Sequence, residues 1–176
     1  MESREMKPAG KFTRIAAVVT ALVTAVATPA AHAASATTTF AVTASILSAC
    51  SVTATPLVFG VYNPTSGSNV DNSSTINVFC TVGTAYTLKL NVGTGGGTFA
   101  TRHLASGSDT LSYNLFTGSG RTTVWGDGTA STGIVNGNGT GLLSATSHTV
   151  YGRLTSGQDV PPGAYQSIVT VTLEYT

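Results

Sequence analysis

After residue 33 no long stretch of this chain repeats its apolar residues every 3.6 positions. Short runs alternate in twos instead, and Gly, Ser, Asn and Pro cut them apart. Successive side chains on a strand point to opposite faces, so a period of two is the pattern of a half-buried strand. Residues 50–62, 74–82, 85–92, 98–104, 110–117, 147–155 and 164–176 each read as strand. "TVGTA" at 81–85 predicts a hairpin between the second and third of these, and "ASGSD" at 105–109 one between the fourth and fifth. A long Gly-rich connection runs from "RTTVWGDG" to about Gly141, with "NGNG" at 136–139 read as positive-φ turn chemistry. About seven short strands at this spacing predict an all-β sandwich in one domain.

Residues 34–46 raise a separate question. Phe40, Val42, Ala44 and Ile46 share one parity, and Thr39, Ala41, Thr43 and Ser45 share the other. Alternation alone fits a first strand of the chain's own sandwich. That is the reading alternation favours; the other is a strand that fills the core of another molecule.

What precedes this segment sets the compartment. Arg4, Lys7, Lys11 and Arg14 are followed by an uncharged apolar run at 15–27 and by small residues ending Ala31-His32-Ala33. This is the pattern of a secretory signal peptide. The run is shorter than the roughly 20 residues that span a bilayer. Residues 1–33 are therefore set aside as signal, with 34–48 as an N-terminal segment and 49–176 as the folded domain.

Beyond residue 33 there are four basic residues (Lys89, Arg102, Arg121, Arg153) and five acidic ones (Asp71, Asp109, Asp127, Asp159, Glu174). Four scattered cations do not match a run of phosphates, which argues against nucleic acid as a partner. No polybasic patch for a membrane surface is present either. So few charges suit a protein packed into an assembly. In an exported chain the two cysteines, Cys50 and Cys80, read as one disulfide.

Catalytic patterns are weak. His103 and His148 are isolated, without the carboxylates or spacing of an acid–base or metal site. Asp127 in "WGDG" reads as a turn aspartate that bonds the backbone two residues on, and Asp109 and Asp159 sit in similar settings. "GTGGG" and "GNGTG" precede no helix pattern, so neither reads as a phosphate cradle. Trp125 and Tyr113 are the candidates for a sugar-binding face, with burial in the core as the plainer alternative. No enzyme, cofactor or metal site is expected.

Several segments together carry a resemblance. They are "CSVTATPLVFGVY" with Phe59, Gly60 and Tyr62, "INVFCT" with Cys80, and Arg102. "YNLF" at 113–116, "WGDG" at 125–128, "YGRL" at 151–154, "PPGAY" and the closing "VTVTLEY" follow in order. In this order and spacing the chain resembles the spore coat protein U domain family, which includes subunits of archaic chaperone–usher pili. It departs from the family after Tyr165, where Gln166 and Ser167 stand in place of a frequent acidic residue.

The resemblance implies an immunoglobulin-like sandwich that lacks its last strand. A periplasmic chaperone would lend that strand during export, and the N-terminal segment of an identical or related subunit would replace it at an outer-membrane usher. It makes Phe40, Val42, Ala44 and Ile46 the donor residues, and Tyr165, Val169, Val171, Leu173 and Tyr175 the edge of the accepting groove. The implied function is a structural pilus subunit at the cell surface, supporting adhesion and biofilm. The alternative is a secreted coat or carbohydrate-binding protein of the same fold.

Cleavage after Ala33 is expected, because Ala31 and Ala33 are the small residues that the peptidase accepts. Mass spectrometry of the exported protein should give Ala34 as the first residue.

Overall fold

The computed structural model describes residues 32–176. The proposed signal peptide lies almost wholly outside the described residues. The described residues divide into two units, one ending at Thr43 and the other, the body, running over Ala44–Thr176. The described residues of the first unit, from His32 on, are exposed and carry no strand.

The body is built of eight strands: β1 (Cys50–Ala54), β2 (Val70–Cys80), β3 (Ala85–Leu90), β4 (Arg102–Ser106), β5 (Asp109–Phe116), β6 (Val135–Asn138), β7 (Thr146–Leu154) and β8 (Val171–Tyr175). They form two antiparallel sheets, one ordered β1-β2-β7-β5-β4 and the other β6-β3-β8. Among the described residues there is no helix. The inward faces follow the period of two. Ile76, Val78 and Cys80 of β2, Tyr113 and Leu115 of β5 and Val150 of β7 share one core with Tyr86, Leu88 and Leu90 of β3 and with Trp125.

The all-β sandwich is as expected from the sequence, and its seven predicted strands all correspond to observed ones. Three local expectations differ. β2 and β3 do not form a hairpin: β2 lies between β1 and β7, and the chain crosses to the other sheet over residues 81–84. Crossing sets the inward face of β2 against that of β3, whereas a hairpin would leave both facing the same way with nothing opposite. The second difference is β6, which the sequence hides inside the Gly-rich connection. Gly137 and Gly139 do not adopt positive φ. A Cβ on Gly137 would lie 2.4 Å from the Tyr86 ring, so glycine serves there as space for the tyrosine.

The third difference lies in the first predicted strand, which stops at Ala54. Up to that point Cys50 and Val52 face the core; beyond it Leu57 and Phe59 do. The inward parity thus shifts from even to odd around Pro56, which has no N–H to continue a ladder. The β4–β5 hairpin forms as expected, with Ser106 paired to Asp109 across a two-residue loop. Gly107 takes φ 62° there, a conformation that a tight hairpin loop requires.

Arg102, completely buried, ties the two sheets together. Its Nε and Nη2 donate to the Asn91 carbonyl at 3.2 and 3.1 Å. Nη2 also donates to the Trp125 carbonyl and Nη1 to Asn114 Oδ1, both at 2.6 Å. The Phe99 ring centroid lies 5.2 Å from its Cζ. Burial lowers the pKa of the guanidinium, yet no carboxylate is among its hydrogen-bond acceptors. Three oxygens from three parts of the chain therefore solvate the cation. The planar fork of arginine suits this task better than the single ammonium of lysine.

Replacing Arg102 with Met strands these acceptors in the interior. The variant should lose about 3 kcal/mol of stability, read as a lower urea midpoint. Arg102→Lys should be destabilised as well, because one ammonium cannot span all three positions.

Candidate functional site

The most unusual feature of the body is the seam between β1 and β8. Each is an edge strand with one ladder neighbour, β2 for β1 and β3 for β8. Along β8 the hydrogen-bonded register pairs Thr172 with Lys89 and Glu174 with Thr87, in step with the Asn91–Thr170 and Ala85–Thr176 bonds at either end. Antiparallel ladders alternate, so the N–H and C=O groups of Val171, Leu173 and Tyr175 turn away from β3. The preceding stretch keeps the phase, because Gln166 bonds Ala105 and Ile168 bonds Thr94. On β1 the bonds of Ala49 to Thr81 and of Thr55 to Thr75 set the opposite phase. The main-chain groups of Cys50, Val52 and Ala54 therefore face away from β2.

Between these lips the core is open. A cavity of about 260 Å³ is lined by Leu57, Ile76, Leu90, Leu115, Val169 and Val171, among others. It shares Leu57, Phe59, Leu104 and Ser167 with a second cavity of about 680 Å³, bounded by residues 57–62 and 160–167. The two make one continuous groove with a largely apolar floor. Tyr113 contributes a polar atom to it: its hydroxyl is buried, with no hydrogen-bond partner among the described residues. Burial pushes its pKa up, partly offset by Ser167 and by Arg102.

Of the predicted groove residues, Val169 and Val171 line the smaller cavity and Tyr165 the larger. Leu173 packs against the core beside Leu88, its partner in β3. Tyr175 is 44% exposed and lies at the end of β8, opposite Tyr86. Tyr165 is not part of β8; its hydroxyl donates to the Pro161 carbonyl. Leu57 and Phe59, on the other lip, were legible only as apolar residues of a strand that ends before them. The predicted donor residues Phe40, Val42 and Ile46 are 85%, 84% and 90% exposed, and Ala44 is exposed too.

Cys50 and Cys80 are bonded, as the sequence leads one to expect. They are directly opposite each other in the β1–β2 register, with Cα atoms 4.1 Å apart. The pair lies between the hydrogen-bonded positions, where strands bring side chains closest. The bridge fixes one lip of the groove to the sheet behind it.

The other chemical candidates do not converge. His148 Nε2 lies 2.7 Å from the Tyr86 hydroxyl, bridging the two sheets, and desolvation lowers its pKa. His103 is on β4, paired with Ser112 of β5. Asp127 is the turn residue expected: its Oδ1 accepts from the hydroxyl and N–H of Thr129, which lowers its pKa. Among the described residues no group of three or more His, Cys, Asp or Glu side chains is arranged to hold a metal. Trp125 is completely buried and Tyr113 nearly so, so neither offers a face for a sugar. The Trp125 Nε1 donates to the Leu88 carbonyl at 3.2 Å, a bond within the core.

Comparison with known proteins bears on the whole body. Residues 36–172 match the Spore Coat Protein U domain. The chain belongs to that family. No curated protein matches it significantly. Among solved structures it is similar to a chain in the crystal structure of the CsuC–CsuE chaperone–tip adhesion subunit pre-assembly complex, from the archaic chaperone–usher Csu pili of Acinetobacter baumannii. The identity is 25% and the TM-score 0.52, over 73% of this chain and 40% of that one. The chain thus spans well under half the length of the one it matches. The likeness covers an immunoglobulin-like sandwich.

The disulfide should contribute roughly 3–4 kcal/mol by closing a loop of about 30 residues. Reduction, or a Cys50→Ala/Cys80→Ala variant, should lower the urea midpoint accordingly. Alkylation of the folded protein without reductant should label neither cysteine.

Proposed function

We propose that this Spore Coat Protein U domain is a structural subunit of a surface pilus assembled by the chaperone–usher route. In this reading the groove between β1 and β8 accepts an extended strand from another molecule. A periplasmic chaperone supplies it first. At an outer-membrane usher, residues 34–46 of the next copy replace it. The observation that carries the reading is the double opening of one seam: on either side of an apolar groove, two edges present main-chain groups without a partner among the described residues. The same chain carries an exposed segment with apolar residues at every second position.

The physics of such a contact is strand addition, where main-chain bonds give affinity and alternate side chains give register. Burying Phe40, Val42 and Ile46 would yield roughly 1.5–3 kcal/mol each by area, before ordering costs. Because the donating and accepting surfaces differ, the contact is head-to-tail, and where the rotation from copy to copy closes no ring it propagates into a fibre. Family membership and the likeness to a chain of a chaperone–tip adhesion subunit pre-assembly complex support the assignment. Roles in adhesion and biofilm follow from it as expectations. The carbohydrate-binding alternative has lost the aromatic face it rested on, since Trp125 and Tyr113 lie inside the core.

The test is a Phe40→Asp/Val42→Asp chain. Two carboxylates carried into an apolar groove without partners cost several kcal/mol. The variant should be exported and folded but should form no SDS-resistant polymer, while its own groove still accepts a wild-type peptide of residues 34–48. Polymers formed as readily as by the wild type would overturn the donor assignment.

A further inference from the structure

One exposed apolar cluster lies away from the groove cavities. Val82 is 81% exposed, Leu142 50% and Leu143 fully. The backbone brings them together. The Gly141 N–H donates to the Cys80 carbonyl and the Gly83 N–H to the Gly139 carbonyl. A Cβ on Gly141 would lie 3.9 Å from Val82 Cγ2. Residues 139–143 therefore sit against the crossing from β2 to β3 and form an apolar tip at that end of the body. No Lys, Arg, Asp or Glu occurs in residues 72–88 or 128–152, the sequence on both sides of this tip. Exposed apolar patches of this kind mark contact surfaces.

The same end holds the root of the N-terminal segment. The Ala49 carbonyl accepts from the Thr81 N–H, and the Ala49 N–H donates to Thr81 Oγ1 at 3.3 Å. Val82 is the next residue. Four residues carry the chain from Ile46 to Cys50, a reach of at most about 14 Å at ~3.3–3.6 Å per residue. Once Ile46 is seated in a neighbour's groove, the neighbour's surface cannot lie further than this from the start of β1. No other partner is tethered so closely to the tip.

We infer that Val82, Leu142 and Leu143 pack against the copy that receives the donated strand. Each junction of the fibre then has a second apolar contact beside the strand itself. The inference rests on the pilus reading above. It identifies the partner as a second copy of this chain and gives the junction a fixed angle, since a donated strand alone would leave a swivel at residues 47–49.

Hydroxyl-radical oxidation followed by mass spectrometry tests it on the full secreted chain. Leu142 and Leu143 should oxidise severalfold more slowly in wild-type fibres than in the unpolymerised Phe40→Asp/Val42→Asp chain. Ile134, the residue before β6, serves as the internal reference. A Leu142→Ser/Leu143→Ser variant, altered only at exposed positions, should still form SDS-resistant polymers but lose the regular subunit repeat in electron micrographs. Fibres in which Leu143 oxidises as fast as in the unpolymerised chain, or serine-variant fibres with an unchanged repeat, would overturn the contact and leave the donor strand standing. A wild-type chain that forms no polymer would overturn both.

Discussion

β8 has a ladder neighbour on one side only, and the residues of its inward face are those whose main-chain groups turn to the other side. A buried or half-buried N–H or C=O without a partner costs free energy comparable to a lost hydrogen bond. β1 poses the same problem in mirror image across the seam. Within β1 and β8 themselves there is no lysine or proline of the kind that commonly protects an open edge; β8 contributes one acidic residue, Glu174, and that pairs with Lys89. The body is consequently a sandwich in which two edge strands, one from each sheet, face each other along one open line. The Cα atoms of β1 and β8 come within 8 Å of one another in places. Two strands that flank a third in a sheet are separated by about 9.6 Å, twice the usual spacing. A strand that joined both lips in a single plane would have to part them there.

The position of the β8 lip is set from inside the core. Arg102 takes the carbonyl of Asn91, which would otherwise receive the Thr170 N–H in the ladder. The side-chain oxygen of Asn91 receives that N–H instead, at 2.8 Å. The Asn91 N–H still donates to the Thr170 carbonyl. One asparagine thus serves the buried cation with its backbone and the entry to β8 with its side chain. On the opposite lip, the disulfide has the corresponding function at the entry to β1.

Much of this was legible from alternation. β2, β5 and β7 place Ile76, Val78, Tyr113, Leu115 and Val150 inward as a period of two requires. Val169, Val171 and Leu173 were legible for the same reason. Sheet membership was not, because alternation gives the face of a strand but not its neighbour; β2 and β3 have equally good inward faces whether they pair or stack. β6 was hidden because Gly137 is selected by the bulk of Tyr86, a residue some fifty positions away in sequence. The partners of Arg102 were illegible in principle, since two of them are backbone carbonyls, which any residue type provides. The shift of inward parity at Pro56 concealed Leu57 and Phe59 as part of the groove.

The neutral surroundings of Arg102 have a consequence for ionic strength. Pairs of opposite charge at a surface weaken as salt rises, because the screening length shrinks from about 10 Å at 0.1 M to about 3 Å at 1 M. The exposed pairs, Lys89 with Glu174 and Asp71 with Arg153, are open to this effect. The central cation is not: its acceptors are dipoles at hydrogen-bond distance, and no mobile ion can come between them. The bond that ties the two sheets is therefore indifferent to the salinity of the medium, and the fold keeps the same anchor in fresh water and in brine.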